Sequence, residues 1–179
     1  MLFRSQIGLL ELYQRRFARL GLQVAQVLLT RTGLEDRERF LNARHTLLEL
    51  LRMGVVPIVN ENDTVSIEEL AVGDNDNLAA STAALVDAHL LALLTDVPGV
   101  LSADPEEDPA AAVIAEAASA DELRALCFRK RAPESKGGMV TKLEAAERAG
   151  RFGIDTVIAS GRDEKSLRAV IREIGRAHV

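Results

Sequence analysis

Val55-Val56-Pro57-Ile58-Val59-Asn60-Glu61-Asn62-Asp63 is the stretch on which the reading of the fold turns. The apolar part, Val55–Val59, is rich in β-branched residues and has the length of a short buried strand. Asn60–Asp63 follows at once with consecutive hydrogen-bonding side chains, which predicts a polar turn. Upstream, Phe40, Ala43, Leu47 and Leu50 share one face of a helix predicted over Arg37–Met53, and Gly54 stops it. Helix, glycine stop, apolar strand and polar turn together make one α/β unit.

Working outward, the unit recurs. Ile7, Leu10, Tyr13, Phe17 and Leu20 fall at helical spacing, Gly21 ends the pattern, and Gln23–Leu29 reads as a strand. Asn77–Ala88 reads as a helix that starts after the Gly73–Asn77 turn. Its small face (Ala79, Ala80, Ala83, Ala84) suits close packing on a sheet. Leu90–Leu94 is continuously apolar, as in a strand covered on both faces. Helices over Met139–Gly150 and Glu164–Glu173 flank a strand at Thr156–Ala159. The segment from Pro98 to Pro109 is punctuated by Pro, Gly and Asp, which suits a hairpin or an ordered loop.

This alternation predicts an α/β fold, a three-layer αβα sandwich with a mostly parallel sheet. Right-handed crossovers would gather the strand C-termini along one edge, where ligands bind in open α/β sheets. Polar residues follow three of the strands, at Asn60–Asp63, Thr95–Asp96 and Ser160–Gly161.

Composition narrows the function classes. The chain has 179 residues, enough for one sizeable core, and with 3% aromatics and no Trp that core must be aliphatic. A net charge of -5 and few stacking side chains argue against a nucleic-acid partner. No apolar run approaches a membrane span. Cys127 is the one cysteine, so no intrachain disulfide framework exists, and a reducing cytoplasm is the expected location. Cys127 and the histidines show no metal-ligand spacing, and no protein-held metal site is expected. Leu2–Ser5 and Ile174–Val179 read like translated sequencing adapters. Residues 1–5 and 174–179 are expected to be non-native, leaving 6–173 as a partial domain of a longer natural chain.

Four clusters are candidates to carry chemistry. In Asn60–Asp63, amide and carboxylate groups suit an α-ammonium or a small polar substrate, with an Asx-capped turn as the alternative. In Gly73–Asn77, one residue suffices to cap the following helix, so the remaining Asp and Asn groups are free to face a ligand or orient a lysine. Gly137-Gly138-Met139-Val140-Thr141-Lys142 opens a helix where backbone N–H groups can approach an anion. Met139, Leu143, Ala146 and Gly150 are expected to form its buried stripe, leaving Lys142 off it and able to reach a phosphate. The spacing is not that of a Walker A loop. Thr95–Asp96 suits a nucleotide contact or a simple turn cap.

Taken in order, VPIVNENDTV, VGDNDNLAA, LLTDVPGVLSADP, GGMVTKLEAAERAG and VIASG resemble the amino acid kinase family. Within it they are most similar to the kinases that phosphorylate the side-chain carboxylate of L-glutamate. The likeness spans nearly all of Gln6–Arg172. It implies ATP and Mg²⁺ as cofactors, L-glutamate as substrate, proline as feedback inhibitor and a homo-oligomer in the full-length protein. Residue by residue, it implies that Asp63, Asn75 and Asn60 bind the substrate and that Asp76 orients catalytic lysines. It places Lys142 on the transferring phosphoryl group, with Thr95, Asp96, Lys136, Gly137, Gly138, Met139, Val140, Thr141 and Lys142 around ATP.

Two departures stand against the family pattern. Nothing before Gln6 supplies its initial strand and Gly-rich, lysine-bearing loop, so the domain is expected to be truncated at the N-terminus, with little turnover. Cys127–Lys136 (CFRKRAPESK) is basic where the family is Gly/Ser/Thr-rich; a phosphate grip, divergence and a sequence error are the readings. A kinase of another small carboxylate such as acetylglutamate, and a non-catalytic amino-acid-binding module, are the competing functions.

Overall fold

A computed structural model describes residues 2–62, 74–103, 108–127 and 138–174. The chain divides into two compact units, Met1–Glu69 and Leu70–Val179.

The first unit runs α1 (Leu2–Ala18), β1 (Gln23–Leu29), α2 (Arg31–Glu35), α3 (Arg37–Arg52) and β2 (Val55–Glu61). β1 and β2 pair in parallel, from Gln23 opposite Val55 to Leu29 opposite Glu61. α3 forms where the apolar periodicity places it. Asp36 caps it by accepting the Arg39 N–H at 2.9 Å, and Gly54, at φ +71°, provides the left-handed exit. Leu47 on the predicted face is fully buried, with Phe40, Ala43 and Leu50 half-buried around it.

Three expectations change in this unit. β2 runs on through Asn60 and Glu61, because both residues continue the ladder opposite Leu28 and Leu29. Successive strand residues point to opposite faces, so Asn60 and Glu61 cannot present their side chains to one site as a turn would. α1 ends at Ala18, which leaves Leu20 outside the helix and 74% exposed. α2 was not anticipated: five residues are too few to show a period, and it is held by Thr30, whose hydroxyl accepts the Gly33 N–H at 3.0 Å. Leu2–Ser5 lie within α1.

The second unit runs α4 (Asp74–Leu85), β3 (Leu90–Thr95), α5 (Ala120–Cys127), α6 (Met139–Gly150), β4 (Asp155–Ser160) and α7 (Glu164–Ile174). β3 and β4 pair in parallel, Leu90 opposite Asp155 through Thr95 opposite Ser160. Short connections fold each helix back along the strand that follows it. The Ala88 N–H donates to the Ala83 carbonyl at 2.9 Å, and the Ile154 N–H to the Ala149 carbonyl at 3.2 Å. A 12-residue helix and a six-residue strand both extend about 17 Å. The starts of α4 and α6 therefore lie at the edge where β3 and β4 end.

The core of this unit joins Ala80 and Ala83 of α4, Leu91 and Leu93 of β3, Ala145 and Ala149 of α6, and Ile154. Its small side chains let α4 pack on α6 as well as on the strands, rather than on a sheet alone. The buried stripe of α6 is consequently Ala145 and Ala149 with Leu143, while Gly150 is exposed. Among the described residues of this unit β3 is covered on one face: Leu91 and Leu93 are buried, whereas Leu94 is 48% exposed. An unbroken apolar run does not distinguish those two cases. The turn-rich segment closes an antiparallel bridge between Leu101 and Val113, with residues 104–107 outside the described set. Also unanticipated is α5, tied to α6 by an ion pair between Arg124 and Glu147 at 2.7 Å. No helix among the described residues is long and apolar enough to cross a membrane.

Candidate functional site

α4 begins at Asp74, so Asn75, Asp76 and Asn77 form its first turn rather than a loop before it. Helical placement aligns Asp76 with Ala80 and Ala83 at i, i+4 and i+7, on the face packed against α6. Lys142, Ala145 and Ala149 align in the same way on α6. The two alanine stripes thus bring two helix starts together, and an acid and a base occupy the open end of the interface. Lys142 lies on the buried stripe, not off it as the sequence predicts.

The Lys142 ammonium donates to both Asp76 oxygens, at 3.2 Å to Oδ1 and 3.1 Å to Oδ2. The side chains are 13% and 19% exposed. In such partial shelter the attraction is stronger than at an open surface, and each charge depends on the other for its solvation. The Thr141 hydroxyl lies 2.6 Å from Asp76 Oδ2 and 3.0 Å from the Gly138 carbonyl. Gly138 sits at φ +110° with no side-chain cap on the helix. That conformation is open to glycine, which has no side chain of its own to cap the first N–H groups of α6. A helix start beside an ammonium suits a phosphate.

The strand ends complete this edge. Thr95 is half-buried and Asp96 exposed, their side chains 3.4 Å apart. The Gly161 N–H donates to the Thr95 carbonyl at 2.8 Å, and the Ser160 hydroxyl accepts the Arg162 N–H at 3.3 Å. A Cβ on Gly161 would stand 3.3 Å from Leu94 Cβ, so the close approach of the two strand ends favours glycine.

Of the residues picked out in the sequence, Asp76, Gly138, Thr141 and Lys142 come together directly. Met139 and Val140 share the first turn of α6, half-buried. Asn75 is exposed at the start of α4, and Asn60 is half-buried in β2 of the first unit. Asp63, Gly73, Lys136 and Gly137 lie outside the described residues. Sequence reasoning missed the Thr141–Asp76 hydrogen bond, because a contact across 65 residues leaves no spacing to read. No group of three or more His, Cys, Asp or Glu that could hold a metal occurs among the described residues.

Residues 4–160 match the Amino acid kinase family. The chain belongs to the amino acid kinase family. A protein of Burkholderia mallei (strain SAVP1) named glutamate 5-kinase is 53% identical over 164 residues, covering 91% of this chain and 44% of that relative. The protein of the same name from Burkholderia thailandensis is 52% identical over the same shares. The chain therefore spans less than half the length of the relatives it matches.

Among solved structures, Escherichia coli aspartokinase III in complex with aspartate and ADP shares the fold. Its TM-score is 0.59 at 21% identity, over 85% of this chain and 35% of that one. The UMP kinase of Ureaplasma parvum matches with a TM-score of 0.58 at 13% identity, over 87% and 59%. At such identities these likenesses speak for the α/β amino acid kinase fold alone.

Proposed function

We propose that the protein to which this chain belongs is an ATP-dependent kinase of the L-glutamate side-chain carboxylate, acting at the entry to proline synthesis. The Asp76–Lys142 pair at the meeting of two helix starts is the observation that carries this reading. The 53% identity to proteins named glutamate 5-kinase supports the choice of substrate.

In this reading the ATP phosphates lie against the start of α6, where Gly138 keeps the backbone open and Lys142 offsets charge on the γ-phosphoryl group. Asp76 holds Lys142 in place. Thr95 and Asp96, at the end of β3, belong to the nucleotide side. Asn60, Asp63 and Asn75 belong to the glutamate side. A carboxylate oxygen of glutamate forms the new P–O bond while the β–γ bridging bond breaks and ADP leaves with its electron pair. Little covalent work is left for the protein, so positioning and electrostatics do most of the catalysis.

The described acidic residues do not fit a dedicated cation cage, since both Asp76 oxygens are taken by Lys142 and Thr141. Mg²⁺ is proposed to arrive on the nucleotide phosphates, as that ion commonly does. Feedback by proline, a homo-oligomeric assembly and a cytoplasmic location belong to the same proposal.

The test is a coupled ADP-release assay on the protein expressed from its complete reading frame, with glutamate, acetylglutamate and no acceptor in parallel. Release that requires glutamate is the expected result. Release only with acetylglutamate would move the substrate to that relative, and calorimetric binding of glutamate without ATP binding would make the protein a sensor.

A further inference from the structure

We infer that Thr141 is a positioning residue which acts through Asp76 to set Lys142, and not a nucleotide contact. This rests on the proposed role of Lys142 at the transferring phosphoryl group. A threonine hydroxyl carries one proton, and two acceptors lie within its reach. The Asp76 carboxylate at 2.6 Å is shorter and charged, while the Gly138 carbonyl at 3.0 Å is neutral. The charge-assisted bond takes the proton.

That bond fixes more than one contact. Both Asp76 oxygens face the Lys142 ammonium, which requires the carboxylate plane to hold one rotation about its Cβ–Cγ bond. Thr141 meets one of those oxygens from the neighbouring position on α6. The hydroxyl, the carboxylate and the ammonium therefore form a chain with a single arrangement. Without the hydroxyl, Asp76 gains a rotational freedom that Lys142 alone does not remove.

The experiment compares Thr141→Val, Thr141→Ala and Thr141→Ser in the protein expressed from its complete reading frame. Crystal structures are expected to show the Lys142–Asp76 separation in Thr141→Val opening beyond about 4 Å, the outer limit of an ion pair, with Thr141→Ser keeping it closed. A pair that stays closed in both Thr141→Val and Thr141→Ala overturns the inference, whether or not the protein proves to be a glutamate kinase. In the kinetic arm, kcat is expected to fall on the order of 100-fold in Thr141→Val, as for a misplaced catalytic group. KM for ATP should stay within about twofold, and Thr141→Ser should restore the rate. A raised KM for ATP with kcat intact would make Thr141 a nucleotide contact and sink the inference. If the unsubstituted protein transfers no phosphoryl group to glutamate, the proposed function fails and the structural arm alone decides.

Discussion

Lys142 and Asp76 are 66 residues apart in sequence, yet the ammonium of one lies within 3.2 Å of both carboxylate oxygens of the other. The alanine stripes of α4 and α6 bring them there, so helix packing and electrostatics support each other at this point. Neither charge is openly solvated. Removing one therefore leaves the other short of partners, a loss that exceeds the net value of the pair itself.

Asp76→Asn and Lys142→Met are each expected to destabilise the fold by roughly 1–3 kcal/mol. The double variant should lose clearly less than the sum, because it leaves no unpaired charge. Urea unfolding of the four proteins measures the coupling. Strictly additive losses would show that the pair is not an energetic unit.

Ala145 is fully buried on the face of α6 toward α4. Replacing it with leucine inserts methyl groups into the interface and is expected to cost about 1–3 kcal/mol. It should also separate the helix starts and weaken binding of an ATP analogue. Glu144→Leu, on the exposed side of the same helix, should stay within about 0.5 kcal/mol. Thermal unfolding and calorimetry report the two effects. Equal behaviour of the two variants would contradict the packing described.

Much of this arrangement was legible in the sequence, and its limits have physical reasons. The helix over Arg37–Arg52 and the strands near Gln23, Val55, Leu90 and Asp155 announce themselves through local apolar periodicity and glycine stops. The GDNDN and GGMVTK strings marked both helix starts that carry the site. What local pattern could not show was which face of α6 is buried, since Ala145 and Ala149 compete with Met139 and Ala146 until a partner helix decides. Strand ends were equally ambiguous. Asn60 and Glu61 look like a turn because they are polar, and only the ladder with Leu28 and Leu29 makes them strand. The short helices α2 and α5 fall below the length at which a period can be read.

Gly138 adopts φ +110°, and none of the described residues lies within 4 Å of where its Cβ would be. A substitution there meets no steric wall among the described residues, only the cost of the backbone conformation. Gly138→Ala is expected to cost about 1–3 kcal/mol, or else to relax the turn and weaken phosphate binding at the start of α6. Unfolding curves and ATP-analogue titration separate those outcomes. A variant as stable as the parent, with unchanged affinity, would show that the turn is not used as described.

Glu147 supplies the pH dependence. The Arg151 side chain binds its Oε1 at 2.6 Å, and the Arg124 guanidinium of α5 lies 2.7 Å from Oε2. The hydrogen bond from Arg151, followed by the charge of Arg124, holds the carboxyl below the ordinary glutamate value. A depressed folded-state value means that the stabilisation is complete above the unfolded-state pKa. It is lost as pH falls from about 4.3 through the lower folded-state value. Glu147→Gln should flatten that acid limb while changing little at neutral pH, where exposed ion pairs contribute modestly. Carboxyl NMR titration should show the midpoint rising in Arg151→Ala and, to a smaller extent, in Arg124→Ala. Only the second substitution removes the tie between α5 and α6, so α5 should exchange its amide hydrogens faster in Arg124→Ala than in Arg151→Ala. Equal exchange in the two variants would mean that α5 is held by its apolar contacts and that the ion pair follows from the packing.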